Sequence, residues 1–322
     1  MHGMMLWGPG ERLVMSEITP TLPPVGEVFI KLHSAALNKR DFWILNGKYP
    51  GVVYPLIPGT DGAGTVDKRE VIINPGINWG SNTNYFAPGF KILGSPDHGT
   101  LAQMVKAPEE NLFAKPSHLS WNEAAALPVA GVTAYRAIFT RGRGKPGEKV
   151  LITGIGGGVA TMGLLFAVAN EMEVWVTSSS DQKIEKALLY GAKGGSNYTN
   201  TDWEKDLAKK VNDKFDLVID GSGSSGLSKI ISLMNPGGRV VIYGGTAGVI
   251  NELSPQRIFW KQLDILGTSM GSPEDFQLMV DYVTQHKIKP IISHTFPLSE
   301  VNEAIDVVGK NEQFGKVCIE IA

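Results

Sequence analysis

The chain has 322 residues, enough for about two domains of roughly 150 residues each. Its 30 basic and 32 acidic residues give a net charge of −2, which argues against a nucleic-acid-binding surface and against a polybasic membrane-binding surface. The single cysteine, Cys318, excludes a disulfide within the chain and a zinc site built on several thiolates.

Neither a membrane span nor a secretory signal is visible. No segment reaches the roughly 18 apolar residues of a span, and residues 1–7 lack the basic run and apolar core of a signal. We therefore expect a soluble cytoplasmic protein. The charged fraction of 19% is low, as in proteins whose surface is partly covered by a second subunit.

The predicted elements change character along the chain. Residues 27–32, 71–73 and 102–106 read as short strands between turns, which favours an antiparallel, barrel-like domain. From about residue 122, strands at 149–153, 173–177, 215–220, 239–243 and 263–267 alternate with helices, of which 159–170 and 181–190 are the clearest. This alternation predicts a doubly wound parallel sheet. Residues 316–321 form a last strand that we expect to return to the first domain.

A glycine-rich turn, ITGIGGGVA at 152–160, follows the first strand of the second region and opens a helix. Its glycines permit a tight turn and a close approach of the backbone to a pyrophosphate, and the helix N-terminus offers unpaired N–H groups. We predict a dinucleotide site here, with contacts from Gly154, Gly156, Gly157, Gly158 and Val159.

The residues after the second strand favour NADPH over NADH. NAD sites place an acid there, whereas this strand ends in the hydroxyls of Ser178 and Ser179, with Lys183 close by to bind a 2′-phosphate. Asp181 is the opposing observation, although it is also a natural helix N-cap. Lys183 is alternatively an ordinary solvated helix lysine. Gly244 and Gly245 follow a later strand, where ligands approach such sheets.

Four segments together resemble one family. They are ALNKRD at 36–41, IPGTDGAGTV at 57–66, LPVAGVTAY at 127–135 and the glycine turn. The chain resembles the medium-chain dehydrogenase/reductase superfamily, and within it the zinc-independent quinone-oxidoreductase-like, or zinc-type alcohol-dehydrogenase-like, branch.

The resemblance implies an α/β architecture with two domains. These are a GroES-like β-barrel catalytic domain, at 1–121 and 288–322, and a Rossmann domain with a doubly wound parallel sheet at 122–287. It places Asn38 beside the nicotinamide, Thr133 against the nicotinamide ring and Tyr198 near the 2′-phosphate. It further implies that the segment with Thr268 and Met270 contacts the carboxamide and forms the edge of a homodimer.

The zinc ligands of metal-dependent relatives are missing. Their places fall at Asn38, Thr60 and about Val129, and residues 78–96 lack the four cysteines of a structural zinc lobe. We therefore expect no functional metal, although Asp41 and Asp61 could hold a weakly bound cation. The connection 67–70 is also shorter than the family's hairpin, so either the hairpin is deleted or a stretch is missing from the sequence.

Without a metal, only some substrates can accept a hydride from the cofactor. Quinones and α,β-unsaturated carbonyls can take a hydride, because the developing charge spreads onto an oxygen that hydrogen bonds stabilise. The candidate catalytic residues are Asn38, Asp41, Tyr49 and Thr60. Asn38 alternatively serves only backbone groups, Tyr49 is a packed aromatic, and Asp41 pairs with a neighbouring cation at the surface.

Other readings remain open. Trp79, Tyr85, Phe86, Phe259 and Trp260 line an apolar substrate pocket or belong to the core. The expected function is NADPH-dependent reduction of a small quinone or enone substrate. Its alternatives are an enoyl-thioester reductase and a non-catalytic NADPH-binding protein.

Overall fold

The computed structural model describes residues 1–223, 226–251 and 253–321. The chain forms two compact units, Met1–Val132 with Gly271–Ala322, and Thr133–Met270. The sequence predicts domain boundaries after residues 121 and 287, whereas these two units divide after Val132 and after Met270. The domain assignment therefore stays a prediction. No helix in the described ranges has the length and apolar character that crossing a bilayer requires.

The elements are as follows in chain order. The strands are β1 (His2–Met5), β2 (Val14–Glu17), β3 (Glu27–Leu37), β4 (Asp61–Val66), β5 (Arg69–Ile73), β6 (Gly76–Ile77), β7 (Lys91–Ile92), β8 (Met104–Pro108), β9 (Leu112–Ala114), β10 (Lys149–Ile152), β11 (Glu173–Ser178), β12 (Gly194–Asn197), β13 (Phe215–Asp220), β14 (Met234–Ile242), β15 (Asp264–Gly267), β16 (Ile292–Pro297) and β17 (Lys316–Glu320). The α-helices are α1 (Lys39–Leu45), α2 (Trp121–Ala126), α3 (Pro128–Tyr135), α4 (Gly158–Ala169), α5 (Asp181–Leu189), α6 (Trp203–Val211), α7 (Leu227–Ser232), α8 (Pro255–Lys261), α9 (Pro273–His286) and α10 (Val301–Lys310).

The first unit is built on a sheet with the order β16-β17-β3-β4-β5-β9, with β8 also paired to β3. All of these pairs are antiparallel except β16–β17, so the expected antiparallel first domain is confirmed. The returning strand is confirmed too, because β17 pairs with β3. One core cluster joins residues of this sheet to α1 and α10 and includes Leu37, Ile44 and Ile305.

Close backbone packing explains the glycines of β4. A Cβ at Gly64 would lie 2.1 Å from the carbonyl oxygen of Lys31 on β3, so only glycine fits there. After β4 the chain turns through Asp67 and Lys68, with Asp67 at φ 53°, and Arg69 pairs with Val66. The short connection therefore closes as a two-residue hairpin.

The second unit holds a parallel sheet with the order β12-β11-β10-β13-β14-β15. This confirms the doubly wound sheet. The strand order reverses between β10 and β13, and ligands of such sheets bind beyond the carboxyl ends of the strands at that point. The glycine-rich turn lies there, between β10 and α4.

Two details differ from the sequence-based expectation. The N-cap of α5 is Ser180, whose hydroxyl accepts from the Lys183 N–H at 3.4 Å, whereas Asp181 is the first helical residue. Strand β14 begins at Met234, five residues before the strand expected at 239–243, because Met234 pairs with Phe215 across a register shift.

Candidate active site

Three polar side chains meet at one end of the first unit's sheet. Strand β3 lies between β17 and β4 and runs antiparallel to both, so the end of β3 adjoins the start of its two neighbours. Asn38 follows β3, Lys316 opens β17 and Asp61 opens β4. This topology joins residues that are 255 and 278 positions apart in the sequence.

Every heteroatom of this cluster has a defined partner. The Lys316 Nζ lies 2.7 Å from Asp61 Oδ2 and 2.8 Å from Asn38 Oδ1, and Asn38 Nδ2 donates to Asp61 Oδ2 at 2.9 Å. The Val129 N–H donates to the other oxygen of Asp61 at 2.9 Å. The Asn38 amide is therefore bound to side chains, and the alternative that it serves only backbone groups is wrong.

Glycine contacts fix the segment that presents Thr60 and Asp61. Gly59 has φ 102°, and a Cβ there would lie 2.8 Å from the Leu101 nitrogen. A Cβ on Gly94 or Gly99 would come within 2.2 Å or 1.9 Å of the Gly59 carbonyl oxygen. Because these backbones touch directly, no larger residue fits at the three positions and the segment has little freedom.

Asp41 is fully buried, so its pairing with a surface cation is ruled out. Its Oδ2 accepts from the Asn38 N–H at 2.8 Å, which ties the start of α1 to the end of β3. Its Oδ1 has no hydrogen-bond partner among the described residues. Burial raises the pKa of the Asp41 carboxyl, and the charge of Arg40 opposes that shift.

Arg40 forms a second polar centre with two of the predicted residues. Its Nη1 donates to the Thr60 hydroxyl and, at 2.9 Å, to the Leu93 carbonyl oxygen. Its guanidinium lies 4.8 Å from the centre of the Tyr49 ring, so Tyr49 is a packed aromatic that also makes a cation–π contact with Arg40. The Arg40 Nε and Nη2 are buried without an acceptor in the described part of the chain.

These atoms do not form a zinc donor set. The three positions offer an amide, a hydroxyl and an apolar side chain in place of thiolate and imidazole ligands. Both oxygens of Asp61 are already bonded, and the cationic side chains of Lys316 and Arg40 contact Asp61 and Thr60 directly. Among the described residues, no group of three or more histidine, cysteine and acidic side chains is placed to hold a metal.

In the second unit, the glycine turn leaves space for a ligand. Gly154 and Gly156 have φ of 64° and 127°, and a Cβ on Gly154 or Gly157 would meet open space. Gly157 caps α4, and Gly158 and Val159 begin it. The first N–H groups of a helix have no partner within the helix, so this turn can bind an anion such as a pyrophosphate.

The residues predicted at the 2′-position adjoin that turn. A Cβ on Gly156 would lie 2.8 Å from Lys183 Cδ, so the lysine side chain packs against the turn. Burial, with a smaller effect of Lys186, lowers the pKa of Lys183. Ser179 is exposed, but the buried Ser178 hydroxyl donates to the Ile155 carbonyl oxygen at 3.4 Å and accepts from the Ser180 N–H at 3.2 Å.

The other predicted cofactor residues lie in the same unit. Tyr198 is 46% exposed, and its N–H donates to the Ser178 carbonyl oxygen at 2.9 Å. Gly244 packs on Gly221, and a Cβ there would lie 2.7 Å from the Gly221 carbonyl oxygen. The remaining residues of this set are Gly245 after β14, Thr268 and Met270 after β15, and Thr133 in α3. The Thr268 hydroxyl is buried without a partner among the described residues.

Sequence reasoning missed Asp220 beside the turn. It is buried at the end of β13 and accepts from the Thr153 hydroxyl at 2.5 Å and from the Gly223 N–H at 2.9 Å. It therefore joins the start of the glycine-rich turn to the loop after β13. An acid that follows three apolar residues at the end of the strand, in FDLVID, was the available signal.

The five aromatic residues predicted to line a pocket lie in two different places, the 78–96 segment and α8. Trp79 is buried, and its ring centre lies 5.8 Å from that of Phe86 and 5.4 Å from that of Phe90, so these rings hold the 78–96 segment together. Tyr85 is exposed in the same segment. Phe259 and Trp260 are exposed on α8 of the second unit.

Comparison with known proteins assigns the chain to a family. Residues 24–117 match the alcohol dehydrogenase GroES-like domain, and residues 158–285 match the zinc-binding dehydrogenase family. The zinc-type alcohol dehydrogenase-like protein YogA of Leptosphaeria maculans is 37% identical, over 96% of this chain and 94% of that protein. The chain belongs to the medium-chain dehydrogenase/reductase superfamily. It is an oxidoreductase with that superfamily's GroES-like domain and parallel-sheet Rossmann-like domain.

Solved structures of this superfamily have the same fold over the whole chain. An NAD-dependent alcohol dehydrogenase superimposes with a TM-score of 0.93 at 31% identity, covering 100% of both chains. The quinone oxidoreductase of Thermus thermophilus, solved also in complex with NADPH, has a TM-score of 0.83 at 25% identity, again over 100% of both chains.

Proposed function

We propose that the protein is an NADPH-dependent reductase that transfers hydride to quinones or α,β-unsaturated carbonyls without a catalytic metal. The observation behind this is the polar cluster at the end of β3, in which an amide stands at the position of one metal ligand and is bonded to the buried ammonium of Lys316. The quinone oxidoreductase of Thermus thermophilus, which binds NADPH, supports the same reading.

Without a metal, the substrate oxygen needs hydrogen-bond donors. Alcohol oxidation requires stabilisation of an alkoxide, which zinc supplies in metal-dependent enzymes. Reduction of a conjugated carbonyl or a quinone places the developing charge on an oxygen, which donors stabilise. Asn38 has one amide hydrogen beyond its bond to Asp61, and two nitrogens of Arg40, Nε and Nη2, have no acceptor in the described residues. We assign the binding of the substrate oxygen to Asn38.

The second unit is assigned to the cofactor. Reduced nicotinamide, when bound, supplies the hydride, and one proton completes the product. The open backbone at Gly154 and Gly157 suits the pyrophosphate, and the hydroxyl of Ser179 and the ammonium of Lys183 suit a 2′-phosphate. Because the Ser178 hydroxyl is already bonded within the turn, we assign it to holding the turn and leave the phosphate to its neighbours.

Steady-state oxidation of NADPH against a quinone, an enal, an enone and a crotonyl thioester tests the proposal. We expect turnover with the quinone or the enone that survives dialysis against a chelator. Asn38→Ala should lower kcat by about 10²- to 10³-fold, as loss of an oxyanion donor does. Asn46→Ala, at the exposed end of α1, is the matched control and should retain activity.

Three outcomes would contradict the proposal. Turnover confined to the crotonyl thioester would make the protein an enoyl-thioester reductase. NADPH binding without turnover of any substrate would make it a non-catalytic NADPH-binding protein. Activity lost with the metal and restored by zinc would overturn the metal-free mechanism.

A further inference from the structure

We propose that Lys316 is a positioning residue that sets the direction of the Asn38 amide and strengthens it as a hydrogen-bond donor. The proposal rests on the function proposed above and names the group behind the substrate-binding donor. In this arrangement a fixed ammonium acts on the substrate oxygen through an amide, at the place where metal-dependent relatives use a metal.

The partners of Asn38 leave one orientation of its amide. An ammonium only donates, so the atom that faces Lys316 Nζ at 2.8 Å must be the oxygen Oδ1. A carboxylate only accepts, so the atom that faces Asp61 Oδ2 at 2.9 Å must be the nitrogen Nδ2. A flipped amide would lose both bonds, because Nδ2 would then face the Lys316 ammonium and Oδ1 would face the Asp61 carboxylate.

Burial keeps this orientation fixed. The side chain of Lys316 is 3% exposed and that of Asp61 is 0% exposed, so water does not compete for their bonds. The Val129 N–H holds the second oxygen of Asp61, which prevents the carboxylate from turning away. Removing one partner of a buried ion pair leaves an uncompensated charge, so the pair holds its geometry strongly.

The consequence is a directed donor. Nδ2 carries two hydrogens, of which Asp61 accepts one, and Asn38 has no other side-chain acceptor in the described residues. The second hydrogen is the group that Asn38 offers to a ligand. Because Oδ1 accepts from an ammonium, the amide is polarised and its free N–H becomes a stronger donor. The site therefore selects a ligand with an acceptor oxygen, such as a quinone or enone carbonyl.

A cycle of variants distinguishes this role from a purely structural one. Lys316→Met/Asp61→Asn removes both charges of the pair and avoids a lone buried carboxylate. We expect this change to lower kcat by about 10²-fold, as for loss of a donor, with the Kd for NADPH unchanged. In an Asn38→Ala background the same change should leave kcat within about twofold, because its effect passes through Asn38.

A second buried lysine provides the matched control. Lys115 pairs with Glu70 at 3.0 Å in the same unit, and its side chain is 7% exposed. Lys115→Met/Glu70→Gln should leave kcat unchanged. If the Lys316→Met/Asp61→Asn change lowers kcat by the same factor in the Asn38→Ala background as in the parent, the inference is overturned. The proposed function would be unaffected by that result.

A measurement on the parent protein decides the inference without turnover or variant stability. Nuclear magnetic resonance of isotopically labelled asparagine, with the Asn38 signal identified by its loss in Asn38→Ala, should show two distinct amide protons. One should be protected from exchange by Asp61, and the other should shift when duroquinone is added. Two protons that exchange alike, or a quinone that shifts neither, would overturn the inference. Parent protein that reduces no substrate would refute the proposed function alone.

Discussion

The side chain of Lys183 packs against Gly156, so that a Cβ on the glycine would lie 2.8 Å from the lysine Cδ. One residue of the glycine-rich turn and one of α5 are thereby brought together, and the exposed Ser179 lies two residues before α5. A ligand whose pyrophosphate lies on the turn would place its adenosine ribose close to these groups.

Lys183→Ala should weaken NADPH binding more than NADH binding. A hydrogen bond to a charged group contributes about 1.5–3 kcal/mol. Only NADPH should lose this contribution, because NADH has no 2′-phosphate. Calorimetric titration with both cofactors measures the difference. Lys186→Ala, one turn further along α5, is the control and should change neither affinity. Equal dissociation constants for NADPH and NADH in the parent protein would refute the NADPH preference.

His98 should make folding stability depend on pH. The Ile57 N–H donates to its Nδ1 at 3.1 Å, which requires a neutral ring, and burial, with the charge of Lys106, lowers the pKa of His98. The unfolded chain then binds the proton more readily than the folded one. Stability from this group is present above about pH 6.5 and is lost as the pH falls below that value.

Urea unfolding at several values between about pH 5 and pH 8 measures this effect against His98→Gln, which keeps an acceptor and does not titrate. The carboxyl groups titrate in both proteins, so the difference between the two curves isolates the histidine. The parent should lose more stability than the variant as the pH falls, and parallel curves would contradict the prediction.

Purified protein should contain no stoichiometric zinc. The amide of Asn38, the hydroxyl of Thr60 and the apolar Val129 are not zinc ligands, and the 78–96 segment is packed by Trp79 and its neighbouring aromatic rings. Treatment with a chelator should therefore leave the melting temperature unchanged. Elemental analysis that finds about one zinc per chain, removed together with activity, would overturn this prediction.

We predict a homodimer formed through β15. In the described part of the chain this strand is the last of the parallel sheet, next to the apolar residues 240–242 of β14, and its outer edge can pair with a second copy. A two-fold axis would continue the sheet across both subunits. Sedimentation equilibrium at micromolar protein is the measurement. A mass near the 34.7 kDa of one chain, independent of concentration, would rule the dimer out.

Local patterns predicted the elements well, and distant pairs limited the prediction of the site. Alternating strands and helices indicated the parallel sheet, and the motif at 36–41 identified Asn38 and Asp41. Lys316 escaped notice because its partner Asp61 is 255 positions away. A lysine followed by three apolar residues of a strand, in KVCIE, was the available signal, since such a charge needs a buried partner. Arg40 escaped because two adjacent cations read as a solvated surface.

Cys318 gives the chain a chemical tolerance that its proposed substrates demand. Quinones and enals alkylate thiolates, so an enzyme that binds them is exposed to inactivation by its own substrate. The only thiol of this chain is buried in β17, its Sγ lies 3.4 Å from the Asn122 carbonyl oxygen, and burial raises the pKa of Cys318 to about 12. With neither access nor a thiolate at neutral pH, this sulfur would escape alkylation by the electrophiles of the proposed reaction.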